Sequence, residues 1–133
     1  MRSVLAAPLA LAFFAAACST TPAAVSGEGR AADVNGVPIV GTRPLTLTLG
    51  SDGRATGNAG CNSFSGPYNT RSDDRIDIGP LAVTRMACEP QIMEQEARYL
   101  SILEDAASFN RYGDGGFSII APDGRAIRFR RGG

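Results

Sequence analysis

Three cysteines, Cys18, Cys61 and Cys88, are the most reactive side chains in this chain of 133 residues, and no histidine accompanies them. Without histidine there is no Ser-His-Asp or Cys-His catalysis, no imidazole metal site and no histidine pH switch. Gly57, Gly60 and Gly66 could cradle a phosphate, but neither G-x-G-x-x-G nor a Walker lysine is present. Beside Asn58 and Asn62 such glycines are expected to serve positive φ angles at strand ends. Asp73, Asp74 and Asp77 could bind calcium, yet the loop lacks the D-x-D-x-D-G spacing and its terminal Glu. A solvated turn accounts for them better. No metal site, cofactor or catalytic residue is therefore expected.

The first 17 residues place these groups in a compartment. Met1 to Ala17 carry one arginine near the terminus, an apolar stretch from Val4 to Phe14 and then small residues, the layout of a secretory signal. A membrane span needs about 20 apolar residues, and this run is cut short by Cys18-Ser19-Thr20-Thr21-Pro22. Ala15-Ala16-Ala17-Cys18 resembles the lipobox of bacterial lipoproteins, whose cysteine is acylated after cleavage. Ala15 stands where a larger aliphatic is usual, and Ala15 and Ala17 also satisfy the A-x-A rule of ordinary export. The lipoprotein reading is favoured, because an ordinary secreted protein has no use for an unpaired cysteine as its first mature residue. Stable attachment then follows from more than one acyl chain. Ser19 after the cysteine implies the outer membrane in preference to the inner.

With Cys18 assigned to lipid, Cys61 and Cys88 remain in an oxidising compartment. A structural disulfide is expected over two free buried thiols; it would close a loop of about 28 residues and contribute about 3 to 4 kcal/mol on the chain-entropy model. A redox pair is disfavoured by the absence of C-x-x-C, and a zinc site by the lack of four ligands.

The 13 basic residues, all arginine, balance 13 acidic ones, so nothing suggests nucleic-acid binding. With 44% apolar residues, 16 Gly, 8 Pro and no Trp, the chain describes one modest, turn-rich domain. Residues 18–33 are small and polar and read as a lipidated N-terminus and flexible linker, with the domain running over 34–131. A monomer is expected.

Within the domain the period is mostly two. Leu45, Leu47 and Leu49 alternate with Thr46 and Thr48, turn at Ser51 to Arg54, and return through Ala55 to Asn58. Strands are expected over Phe64 to Tyr68, Ile76 to Ile78 and Leu81 to Thr84. A three-stranded meander is expected over Ser108 to Tyr112, Phe117 to Ile120 and Ala126 to Arg130, with turns at Gly113 to Gly116 and Pro122 to Gly124. From Pro90 to Ala107 the period changes: Met93, Ala97, Leu100, Leu103 and Ala107 line one helical face, with Pro90 in the first turn and Glu94 to Arg98 as an i,i+4 pair. The expectation is an α+β fold: a small, curved, barrel-like antiparallel sheet with one main helix packed on it through that face.

The string GNAGCNSFSGPYN, followed by IDIGPLAVTRMACEPQIMEQEARYLSILEDAASF, closely resembles the META/HslJ-like domain of bacterial envelope proteins. Its most specific parts are Gly60-Cys61-Asn62 with Phe64, Gly66 and Tyr68, then Thr84-Arg85-Met86-Ala87-Cys88, then Glu94 and Glu96. The Trp usual in the family's opening strand is missing here. The resemblance implies a small β-rich α+β domain, a setting in the cell envelope, and links to heat-shock response, novobiocin resistance, secretion and motility. It supplies no catalytic residues.

Two arginine groups remain. Arg128 and Arg130 alternate with Ile127 and Phe129 and so face outward; with Arg131 they could meet anionic headgroups or an acidic partner, or simply be a solvated strand face. Arg85 is expected to pair with a carboxylate, Glu94 or Glu96, in preference to contacting a ligand, because a charge in a packed segment needs a partner. The reading is a non-catalytic, lipid-anchored envelope protein facing the periplasm, binding a protein or hydrophobic ligand in stress tolerance. A purely structural lipoprotein and a carboxylate-based hydrolase are its rivals.

Overall fold

A computed structural model of the chain describes residues 28–71 and 74–132. The signal, Cys18 and Asp73 lie outside the described residues. Ten strands and one helix follow in the order β1 (Glu28–Val34), β2 (Val37–Pro38), β3 (Thr46–Leu49), β4 (Arg54–Asn58), β5 (Ser63–Arg71), β6 (Arg75–Ile78), β7 (Ala82–Val83), α1 (Pro90–Glu104), β8 (Ser108–Arg111), β9 (Phe117–Ile120) and β10 (Ala126–Arg131). Both predicted hairpin sets are present, because each strand carries its inward apolar residues at alternate positions between Gly- and Asp-rich turns.

The sheet closes. Around the ring run β1, β3, β4, β5, β6, β8, β9 and β10, and β10 pairs back onto β1 from Gly29↔Arg131 to Val34↔Ile127. The result is an eight-stranded antiparallel barrel, which leaves no long unpaired edge among the described residues. The short β2 and β7 lie off the ring, on β1 and β5. A break in register between Ala31 and Asp33 bends β1 as it joins β10.

β1 was expected to be linker, and the domain therefore starts earlier than residue 34. Its sequence, EGRAADV, offers no bulky alternation because the barrel has no room for bulk there. Phe117 and Phe129, opposite one another on β9 and β10, stack with centroids 4.7 Å apart. A Cβ on Gly29 would lie 2.7 Å from the Phe117 ring and 3.1 Å from the Phe129 Cβ. The aromatic pair fills the volume that a large β1 side chain would otherwise occupy.

The core contains Leu45, Leu47 and Leu49 of the 45–49 segment, Phe64, Ile76, Ile119, Ile127 and Phe129. α1 contributes Tyr99, Ile102 and Leu103 to this cluster. The buried helical face is thus Gln95, Glu96, Tyr99, Ile102 and Leu103, not the predicted stripe. Leu103 is common to both; Leu100 is only half-buried, Met93 likewise, Ala97 is exposed, and Ala107 lies beyond the helix end. The predicted stripe counted only apolar residues, whereas two polar ones are buried here with their bonds satisfied. The Tyr99 ring lies 5.9 Å from Phe64 and 6.2 Å from Phe129, and its hydroxyl donates to the Thr46 carbonyl at 2.7 Å. Complete burial pushes its pKa well up, so it remains a donor.

The glycines divide by cause. Gly60 has φ +112°, as expected, but Gly57 and Gly66 serve close approach instead. A Cβ at Gly57 would overlap the Thr46 carbonyl oxygen, and one at Gly66 would lie 2.5 Å from the Pro80 oxygen. At Gly29 the obstacle is a ring that can tilt; at Gly57 it is backbone. Gly57→Ala is therefore expected to cost about 3 kcal/mol or more and Gly29→Ala about 1 to 2 kcal/mol. Urea unfolding midpoints of the two variants check that order.

Candidate functional site

Six of the motif residues, Cys61, Asn62, Thr84, Met86, Cys88 and Glu96, converge where the β4–β5 turn, the segment before α1 and the first turns of α1 meet. Its centre is a contact between Asn62 and Glu96, each only 3% exposed. Glu96 Oε1 accepts the Asn62 backbone N–H at 2.7 Å, and Oε2 accepts Asn62 Nδ2 at 2.9 Å. The other side of the Asn62 amide holds the 84–86 strand of chain. Its Oδ1 accepts the Met86 N–H at 2.7 Å and the Thr84 hydroxyl at 3.0 Å, while Nδ2 also donates to the Met86 carbonyl at 3.1 Å. One asparagine thus ties three separate parts of the chain together, and no other neutral side chain of its length has both a donor pair and an acceptor.

The two internal cysteines bracket this contact. Cys61 and Cys88 are joined by a disulfide, with Cα atoms 6.0 Å apart across 27 positions of sequence. Cys61 is fully buried, so the bridge fixes the 84–88 segment to the β4–β5 turn a second time, beside Asn62's amide bonds to residue 86. Next to it, Gln95 grips the 39–41 segment: its Nε2 donates to the Val40 carbonyl at 3.1 Å and its Oε1 accepts the Val40 N–H at 2.8 Å. Gln95 has no place in the sequence expectations, and Glu96, expected as a partner for Arg85, is instead bonded to Asn62. The available signal was two adjacent polar residues one turn before Tyr99 on its own helical face, where an apolar residue would be routine.

Arg85 does not take the partner expected for it. It is exposed and forms no ion pair among the described residues; Glu94 pairs with Arg98 at 3.7 Å and Glu96 is committed to Asn62. Because the 84–88 segment lies at the surface, a charge on it needs no buried counter-ion. Phe64 lies in the core, Gly66 meets the Pro80 carbonyl, and the Tyr68 hydroxyl donates to the Gly50 carbonyl at 2.5 Å. Asp77 pairs with Arg71 at 3.2 Å, and no metal-binding cluster is found among the described residues. Arg128, grouped above with Arg130 and Arg131, is instead bonded to Asp33 at 2.9 Å.

Beside this hub runs an open groove of about 400 Å³ between the 83–87 segment and α1. Val83, Met86, Ala87, Met93, Ala97 and Leu100 give it an apolar floor. Met86 is 52% exposed. Three of these residues, Met93, Ala97 and Leu100, are the stripe that periodicity assigned to the core.

Truncating Glu96 would leave two buried Asn62 donors without acceptors. Glu96→Ala and Asn62→Ala are each expected to cost about 2 to 4 kcal/mol. The double variant should cost less than the sum, because Glu96→Ala strands the Asn62 amide and Asn62→Ala strands the Glu96 carboxylate, and the double variant removes both side chains. Denaturant unfolding of the four chains gives the coupling directly; additive losses would refute it.

A family model described as META domain matches residues 25–131. Among solved structures, an NMR structure superposes with a TM-score of 0.65 at 22% identity, covering 80% of this chain and 90% of that one. A second NMR structure, of a protein from Burkholderia xenovorans, gives 0.62 at 22% identity, with 80% and 82% covered. The crystal structure of a DUF4847 family protein from Bacteroides vulgatus ATCC 8482 gives 0.60 at 13% identity, with 81% and 94% covered. No curated protein matches. The structural likenesses show a shared fold, and the family model spans both halves of the motif that Asn62, Glu96 and the disulfide join: the chain belongs to the META domain family.

Proposed function

We propose that this is a non-catalytic, lipid-anchored protein of the bacterial cell envelope, held through Cys18 and facing the periplasm, at the outer membrane in preference to the inner. Its domain binds a hydrophobic ligand or an apolar segment of another envelope protein, in the service of stress tolerance such as heat shock or novobiocin-type drug resistance.

One observation carries the binding reading: α1 keeps apolar residues beyond the face that the core fully buries, although Leu100 among them also packs against the edge of the core. Tyr99, Ile102 and Leu103 enter the barrel cluster, while Met93, Ala97 and Leu100 line the surface groove with Met86. Methionines suit a site that must adapt to an irregular apolar partner, since the thioether chain is flexible and polarisable. The buried polar groups beside the groove support binding over catalysis. Asn62 and Glu96 satisfy each other, so the motif spends its hydrogen-bonding capacity on holding the groove's wall in place.

Titration with a short-chain fatty acid, followed by amide NMR, tests this. Shifts are expected over 83–88 and 93–100. Met86→Asp should weaken binding by about tenfold or more, the equivalent of losing most of one buried methionine contact. Shifts scattered over the barrel, or an affinity unchanged by the variant, would remove the groove from the proposal. The anchor is tested separately by intact mass from native membranes, where an acyl adduct at Cys18 is expected.

A further inference from the structure

The outer face where β1 meets β10 carries charges that the fold does not need. Arg30 and Arg130 stand directly opposite one another in the ladder, a position in which like charges repel. Nearby, the same two strands resolve a charge differently, with Arg128 opposite Asp33 and bonded to it. Arg30, Arg130 and Arg131 form no ion pair among the described residues. With Arg43 they surround an open concavity of about 800 Å³, and no carboxylate lines it. Arg43 is oriented by its Nη1 donating to the Cys61 carbonyl at 3.3 Å, and the Arg131 stem lies against Gly115. Glu28, two positions before Arg30, is the flanking carboxylate and forms no ion pair among the described residues either.

The position of this concavity says what it meets. Arg30 belongs to β1, the strand through which the chain leads back toward Cys18, and Glu28 stands ten positions after that cysteine. Ten residues span at most ~35 Å when fully extended. A tether of that length keeps the β1 end of the barrel close to whatever surface holds Cys18, and attraction between arginines and anionic headgroups acts only within roughly 10 Å. We infer that Arg30, Arg43, Arg130 and Arg131 form a docking surface for the phosphate-bearing headgroups of an anionic bilayer, which seats the barrel on the membrane with its β1–β10 seam inward. The inference rests on the anchored reading above and deepens it. Lipid chains hold the protein to the membrane, and the arginines set its orientation there.

The test uses the exported chain carrying Cys18→Ser, which cannot be acylated, and flotation with vesicles of phosphatidylcholine alone or mixed with phosphatidylglycerol. Binding is expected only to the mixed vesicles and is expected to fall at high salt. Combining Arg30→Gln, Arg130→Gln and Arg131→Gln should weaken it about a hundredfold, at roughly fivefold per arginine. A triple with the same change of net charge, Arg54→Gln, Arg71→Gln and Arg75→Gln, lies on β4, β5 and β6. Of these, β6 is four strands from β1 either way around the ring, and this triple should lose no more than about threefold by distance from the bilayer. Thermal unfolding of both triples controls for folding. Equal losses in the two triples, or equal binding to neutral vesicles, would overturn the docking surface. Release by inorganic phosphate would replace it with a discrete phosphate site. Preference for polyglutamate over the mixed vesicles, lost in the first triple, would reassign it to an acidic protein. Absence of an acyl mass at Cys18 sinks the anchor alone, so the two failures are told apart.

Discussion

A buried carboxylate must be given hydrogen bonds where it lies, and in this protein meeting that requirement organises the region around the groove. Glu96 is satisfied by both nitrogens of Asn62, and Asn62 has enough capacity left to bind Thr84 and both backbone groups of Met86. The geometry is demanding because both side chains are buried: a donor displaced from the carboxylate loses a bond that burial makes costly to leave unmade. A helix, a turn and an irregular segment are thereby held in one arrangement, and the Cys61–Cys88 bridge removes the remaining freedom of that segment. Part of the residue strings that carry the resemblance, Cys61, Asn62, Thr84, Met86, Cys88 and Glu96, makes up that fastening in this chain.

Fixing the wall of a groove does not decide what fills it, but it does explain why the groove persists. The 83–87 segment has little regular structure beyond the short β7. Without Asn62 and the bridge it would be free to collapse onto Met93, Ala97 and Leu100. Held off by a few hydrogen bonds, it leaves the apolar side chains of the groove open to solvent. The opposite face of α1 shows the contrast, with Tyr99 enclosed by Phe64 and Phe129 and its hydroxyl spent on Thr46.

Electrostatics on the barrel's exterior follow the same division between satisfied and unsatisfied groups. Arg125 joins Asp105 at the helix end to Asp123 in the β9–β10 turn. Its hydrogen bonds hold the Asp123 carboxyl below its ordinary range, and the two carboxylates, Asp105 foremost, hold Arg125 above its own. Arg128 has Asp33 and Arg71 has Asp77. Among the described arginines left without an ion pair, Arg30, Arg130 and Arg131 differ in being gathered, with Arg43, around one concavity. A net charge of zero over the chain conceals that cluster, because neutrality constrains the sum of charges and not their placement.

The strands of both hairpin sets were legible because alternation of Leu, Ile and Phe with polar residues, between Gly- and Asp-rich turns, is a local pattern that burial of one face enforces. Secretion-type features of the first residues and the two-cysteine bridge could be argued from residue type and compartment in the same way. What only the tertiary structure decided involved space already taken by distant residues. β1 reads as linker since Phe117 and Phe129, about 90 to 100 positions away, occupy the inward volume at Gly29 and leave no room for a bulky side chain there. The buried helical face reads wrongly because Gln95 and Glu96 find partners in Val40 and Asn62, and a polar residue's partner is invisible until the chain has folded. Arg30 meets Arg130 for the same reason. One sequence determines which groups are polar, apolar or charged; closure of the barrel determines which of them must share a volume, and that is set by contacts with no local signature.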